Sequence, residues 1–225
     1  MATKGIEWVN DYHGRASDLS NCDNDAEGFY NKLSGVKKFN YANNNAWDED
    51  FEHMGVGTPS TGYDNLYIDN VNIAFYAGHS SKGGLFFGRA DKDNGTAQPS
   101  EMKLGSKQLR WLATSSCELL KHDSDLFSRL MNIFSGLHYI LGFHTVCSDT
   151  KDRGEIFASK LNNRDRVRTA WLLACVETES SSKQCAYIRA DNSNSDTAND
   201  HWFGKGFVSP KPINPNYFLY LKTTC

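Results

Sequence analysis

Two apolar runs in this chain each end on a side chain able to do covalent chemistry. Val71-Asn72-Ile73-Ala74-Phe75-Tyr76-Ala77-Gly78 leads into His79, and Leu109-Arg110-Trp111-Leu112-Ala113-Thr114-Ser115-Ser116 leads into Cys117. Both runs have the length, aromatic content and small terminal residues of short buried strands. If the strands are parallel neighbours, His79 and Cys117 emerge together at the carboxyl edge of one sheet, where open α/β sheets hold their ligands. An imidazole beside a thiol can take its proton and leave a thiolate, the minimum for nucleophilic catalysis. Backbone N–H groups at Gly78, Ser80 and Ser116 are the candidates for holding an oxyanion. Such a site needs no metal and no organic cofactor. Asp69 and Asp125 are the candidates for orienting the imidazole. The competing view of Cys117 is a buried, inert thiol packed as a small hydrophobe.

The elements that must position this pair follow from periodicity and punctuation. Residues 5–12 predict a first strand, and 24–34 a helix capped by Asp23 or Asn24, with Phe29, Tyr30 and Leu33 on one face and Gly35 closing it. A strand near 36–41 leads to a polar Asn43-Asn44-Asn45 loop, and Trp47 and Phe51 mark a short helix. The strand over 70–78 is followed by Leu85-Phe86-Phe87-Gly88 as a hairpin arm, then by a polar loop over 90–107. After the strand at 109–115, a helix capped by Asp123 or Ser124 runs to Gly136, and 137–143 predicts another buried strand. Helices at 152–162 and 165–178 and strands at 184–190 and 217–222 complete the pattern. Strands alternating with helices give one α/β domain over 1–225, a mostly parallel sheet of about six strands with helices on both faces.

At 225 residues, 39% hydrophobic and 23% charged, the chain has the size and composition of a single globular domain. A net charge of −3, with no basic run longer than Lys37-Lys38, argues against a nucleic-acid or anionic-membrane partner. No segment approaches the ~18–20 consecutive apolar residues of a membrane helix. The first residues lack a signal-peptide core, so a cytoplasmic protein is expected, or a secreted one if a leader has been removed. Only secretion would give the Asn94-Gly95-Thr96 sequon a role. Six dispersed cysteines with no CxxC pair argue against a disulfide framework or a structural zinc site.

Other residues invite weaker functional interpretations. His138 and His144 lie on or after a later strand and are candidates for the same edge. Trp202-Phe203-Gly204-Lys205-Gly206, with Tyr63, Tyr67 and Phe207, suggests an aromatic pocket wall, because glycine lets backbone approach a ligand. Asp91-Lys92-Asp93-Asn94-Gly95 starts like a calcium loop but lacks the later acceptors, so it is expected to be a turn. Asp191, Asp196 and Asp200 are expected in a solvated loop.

The strand–His79 and strand–Cys117 arrangement resembles the caspase-like superfamily of cysteine peptidases, which includes caspases, metacaspases, gingipain and separase. Members place a catalytic histidine after an apolar strand and the cysteine after the next core strand. Here Ala77-Gly78-His79-Ser80-Ser81 and Thr114-Ser115-Ser116-Cys117 are 38 residues apart, histidine to cysteine. Ser80 stands where those proteins have glycine, and Glu118-Leu119 where small residues follow the nucleophile. The chain also resembles a branch of this group described only as a domain of unknown function. That likeness runs through Tyr67-Ile68-Asp69, Tyr76–His79, Leu104-Gly105 to Cys117, Gly136–Phe143, Gly154, Phe157-Ala158 and Ala170-Trp171.

Together these features lead to a thiol-dependent hydrolase or acyl transferase acting on an amide or ester of a peptide or small molecule. Cys117 is its nucleophile and His79 its base, with Trp202, Phe203 and His138 as pocket candidates. The alternatives are an acid/base enzyme on a small molecule (a cyclase, isomerase or lyase) and a catalytically silent caspase-like binding module. Oligomeric state is open.

Overall fold

The computed structural model describes residues 1–57, 62–91 and 94–225. Its seven-stranded sheet contains β1 (Thr3–Trp8), β2 (Val36–Ala42), β3 (Ile73–Ala77), β7 (Trp111–Ser115), β8 (Tyr139–Phe143), β9 (Gln184–Asp191) and β10 (Tyr217–Thr224), in the order β10-β9-β8-β7-β3-β1-β2. The strands from β2 to β8 are parallel, whereas β9 runs antiparallel to both β8 and β10. The sheet therefore has one strand more than expected, and its antiparallel edge has consequences for the site.

Register explains why β3, β7 and β8 read as unbroken apolar runs. Phe75 lies beside Ile6 and Ala113, and Ala113 beside Leu141, all on one face. Alternate residues Ala74, Tyr76, Leu112 and Ile140 enter a second core on the opposite face. A strand covered on both sides has no polar face to show. The first face is covered by α1 (Cys22–Lys32), α3 (Arg153–Asn162) and α4 (Val167–Thr178). Among the described residues, the second carries α2 (Leu126–Leu130), 3-10 turns and a small antiparallel sheet of β4 (Ser80–Ser81), β5 (Gly84–Phe86) and β6 (Thr96–Ala97). Long helices thus cover one face, and short turns do the same work on the other.

Helix α1 packs against α3 through glycine. A side chain at Gly154 would put Cβ 2.2 Å from the Asp25 carbonyl, so only hydrogen fits there. Asp25 also accepts the Gly154 N–H at 2.5 Å, fixing the start of α3 against α1. Among the described residues, no helix is long and apolar enough to cross a membrane.

Candidate active site

Because β1, β3, β7 and β8 are parallel, the turns leaving all four open on one edge. The order of strands reverses between β1 and β3, where a crevice forms at the carboxyl ends. A small open cleft lies there, lined by Leu19 and Cys22 after β1, Gly78 and His79 after β3, Ser115 and Cys117 at the end of β7, and Cys147–Thr150 after β8, with Asp25 from α1. His79 and Cys117 therefore share one cleft, delivered by neighbouring strands.

His79 is oriented by the loop between β1 and α1. Its Nε2 lies 2.8 Å from the Ser17 carbonyl oxygen. A carbonyl only accepts, so Nε2 carries hydrogen and Nδ1 is the basic nitrogen of the neutral ring. The His79 backbone N–H donates to the Tyr12 hydroxyl at 2.6 Å, and the two rings lie 4.7 Å apart. Asp69 and Asp125 do not orient the imidazole. Asp69 accepts from Gly105 N–H, Ser106 Oγ and Lys107 N–H, before β7. Asp125 pairs with Arg129 and Lys82. A backbone carbonyl carries no side-chain signature, which is why Ser17 could not be singled out from residue types.

Cys117 is held by the turns around it. Ser80 Oγ donates to the Cys117 carbonyl at 2.5 Å, so the serine in place of glycine ties the histidine turn to the cysteine turn. Glu118 has φ 55, in the left-handed region where few residues with a side chain sit. Its N–H donates to the Thr145 carbonyl at 3.1 Å, and Leu120 N–H to Phe143 at 3.1 Å. These bonds fasten the turn after β7 to the turn after β8 and bring Cys147 to Cys117. The two sulfurs are 3.7 Å apart, and the Cys147 N–H donates to Cys117 Sγ at 3.3 Å.

The electrostatic consequence separates Cys117 from every other cysteine. The Cys147 thiol hydrogen bond, then its N–H and the nearby His79, stabilise the thiolate against burial and Glu118, lowering Cys117 from 9.0 to about 6. The other five are all raised. Cys147 is pushed up first by its bond to Cys117, Cys22 and Cys175 by burial, and Cys185 and Cys225 by their sulfur neighbours. Cys22 and Cys147 line the same cleft, so proximity to it does not by itself lower a thiol.

Beneath the cleft runs a buried polar chain. Arg153, fully buried, donates to Ser115 Oγ at 2.5 Å, pairs with Glu179 and lies over the Phe143 ring at 4.7 Å. The Asp25 carboxyl, also buried, is pushed up by burial, with Arg153 opposing. Asp149 accepts the Ser20 N–H at 2.7 Å and closes the rim.

Several expected site residues lie elsewhere. Gly78 lines the cleft, but its N–H points to the Ser115 carbonyl at 3.4 Å. Ser116 is fully buried with its hydroxyl unpartnered and does not reach the cleft wall. Trp202 and Phe203 line a different cavity with Ala2, Gly35, Asn72 and Gln108, residues that precede strands. That is the amino edge, the opposite end of the sheet. The cause is β9: running antiparallel, it ends beside the start of β8, with Arg189 opposite Tyr139, and releases the following loop at the wrong edge for the cleft. His138 precedes β8 at that same edge, buried, 2.5 Å from Asp200, which also accepts the Trp111 indole N–H at 3.0 Å. His144 does leave β8 at the carboxyl edge but bonds to His122 N–H and lies 3.0 Å from Lys222 Nζ.

Among the remaining candidates, Asp191 holds Arg189 and Thr197, and Asp196 accepts from Asn199 at 2.6 Å. Tyr63 and Tyr67 line a third cavity with Tyr41 and Trp47, and Phe207 is exposed. Lys92 and Asp93 of the calcium-like segment lie outside the described residues. Cys147 and Asp25 were not singled out from sequence. Cys147 had a usable signal, since it follows the strand after Cys117's own by four residues.

Fold and cleft define an open α/β protein with a thiol- and imidazole-lined crevice at the carboxyl edge of its sheet. Residues 6–223 match the family described as a domain of unknown function (DUF6345), and the chain belongs to that family. No curated protein matches it.

Proposed function

We propose that this protein is a thiol-dependent hydrolase or acyl transferase of caspase-like architecture, acting on an amide or ester of a peptide or small molecule. The observation that carries the proposal is that Cys117, alone of six cysteines lowered toward neutrality, shares an open cleft with His79. Histidine after β3 and cysteine after the adjacent parallel β7 also match the order on which the caspase-like resemblance rests. The Cys117 sulfur attacks the carbonyl carbon, and His79 Nδ1 takes the thiol proton when one is present. The imidazolium returns that proton to the departing amine or alkoxide, and where Cys117 starts as the thiolate the leaving group takes its proton from water; either way a thioester is left on Cys117. Water, deprotonated by Nδ1, then releases the acid, or another nucleophile takes the acyl group. Six free thiols suit a reducing compartment, which supports a cytoplasmic location.

The test is turnover of aryl esters and peptide amides by the protein and by Cys117→Ser and His79→Ala. Cys117→Ser should abolish turnover and His79→Ala should slow acylation. Full activity in Cys117→Ser rejects nucleophilic catalysis. Asp25 favours one second reading: a carboxyl raised by burial in the cleft wall is equipped to exchange protons with a small molecule. An acid/base enzyme of that kind would lose activity in Asp25→Asn and keep it in Cys117→Ser.

A further inference from the structure

The proposed hydrolysis uses one thiol of the cleft and leaves Cys147 unemployed. We propose that Cys147 is a resolving thiol, and that a hydroperoxide converts the facing pair into a Cys117–Cys147 disulfide that closes the cleft chemically. The sulfurs are 3.7 Å apart, both residues line the open cleft, and both are half-buried. A disulfide needs a bond of about 2.05 Å, so the sulfurs must approach by under 2 Å. The two turns are already tied together by the Glu118 N–H bond to the Thr145 carbonyl, so the remaining approach falls to rotation of the two cysteine side chains about their Cα–Cβ bonds.

The order of events follows from the asymmetry of the two thiols. Cys117 is the one ionised near neutral pH and attacks first. Its thiolate displaces hydroxide from the peroxide: an S–O bond forms, the O–O bond breaks, and sulfur loses two electrons to become a sulfenic acid. Cys147 is held in its S–H form mainly by its bond to the Cys117 sulfur, and oxidation of Cys117 removes that restraint. Cys147 sulfur then attacks the sulfenic sulfur, the S–O bond breaks, and hydroxide leaves with the Cys147 proton as water. One hydroperoxide is consumed per disulfide, and a dithiol reductant reverses the step. This chemistry is independent of any acyl substrate.

The test treats the full chain with one equivalent of hydrogen peroxide at pH 7, alkylates remaining thiols and maps peptides without reduction. A linked pair of peptides containing Cys117 and Cys147 is expected, with loss of iodoacetamide labelling at Cys117 and recovery after dithiothreitol. Cys147→Ser should instead give a Cys117 sulfenic acid trapped by dimedone, advancing to sulfinic acid with excess peroxide. A wild-type protein whose Cys117 goes to sulfinic acid with Cys147 still free, pairs with Cys22, or stays reduced overturns the proposal. Failure to hydrolyse any substrate leaves this mass readout unaffected, so the two proposals fail separately.

Discussion

Replacing Cys147 by alanine separates the neighbours that set the Cys117 thiol. Cys117 is lowered from 9.0 to about 6, with the Cys147 thiol as the largest cause and its N–H and His79 behind it. Alanine keeps the N–H at 3.3 Å and removes only the S–H. A hydrogen bond to an ionised group contributes about 1.5–3 kcal/mol, and a sulfur donor at a half-exposed site falls at or below the weak end. About 1.4 kcal/mol corresponds to one pKa unit, so the midpoint should rise by about one unit, to about 7. The sign is fixed, because the lost donor stabilised the thiolate. At pH 6 the ionised fraction then falls from about one half to about one tenth, while each thiolate becomes about threefold more nucleophilic. Alkylation of Cys117 by iodoacetamide should therefore be about twofold slower at pH 6 and about threefold faster above pH 8.5. The assay is the rate of adduct formation at Cys117 by peptide mass spectrometry across that range. Cys147→Ser, which retains a donor, should keep the midpoint near its original value. An unmoved midpoint in Cys147→Ala, or a larger displacement in His79→Ala, refutes this account of the thiol.

Three further outcomes follow from the packing around the cleft. Arg153→Met leaves the Glu179 carboxylate without its cationic partner and bonded, among the described residues, only by the Ser148 N–H and hydroxyl, and urea denaturation should show a loss of about 3 kcal/mol. Gly154→Ala forces a methyl to 2.2 Å from the Asp25 carbonyl, and thermal melting should register a destabilisation of about 1–3 kcal/mol as α1 and α3 part. Tyr12→Phe strips the acceptor from the His79 N–H and should cost about 1–3 kcal/mol; a stability equal to wild type would show that water replaces the hydroxyl freely.

Much of this architecture was legible because the strands are covered on both faces. Uninterrupted apolar runs at β3, β7 and β8 located the central strands to within two or three residues, and the helices now seen as α1, α3 and α4 were equally clear from their apolar faces. Ending each strand at small residues placed His79 and Cys117 at one edge. The direction of β9 was not legible, since an antiparallel strand with two covered faces has the same pattern as a parallel one. Trp202 and Phe203 were consequently expected in the cleft, while the loop carrying them leaves from the amino edge. The Ser17 carbonyl and the Cys147 partnership depend on turns meeting in space. Ser80 was noted as a departure from glycine, and its function as a tie to the Cys117 carbonyl needed the structure.

The proposed hydrolysis requires Cys117 to form a covalent acyl intermediate with help from His79. The most direct measurement is rapid quenching of the protein with an activated aryl ester, followed by intact-mass and peptide analysis. A stoichiometric acyl group on Cys117 is expected, formed more slowly and hydrolysed more slowly in His79→Ala, and absent in Cys117→Ser. Acyl groups spread over several cysteines, or a Cys117 adduct whose formation and hydrolysis are indifferent to His79, would contradict it.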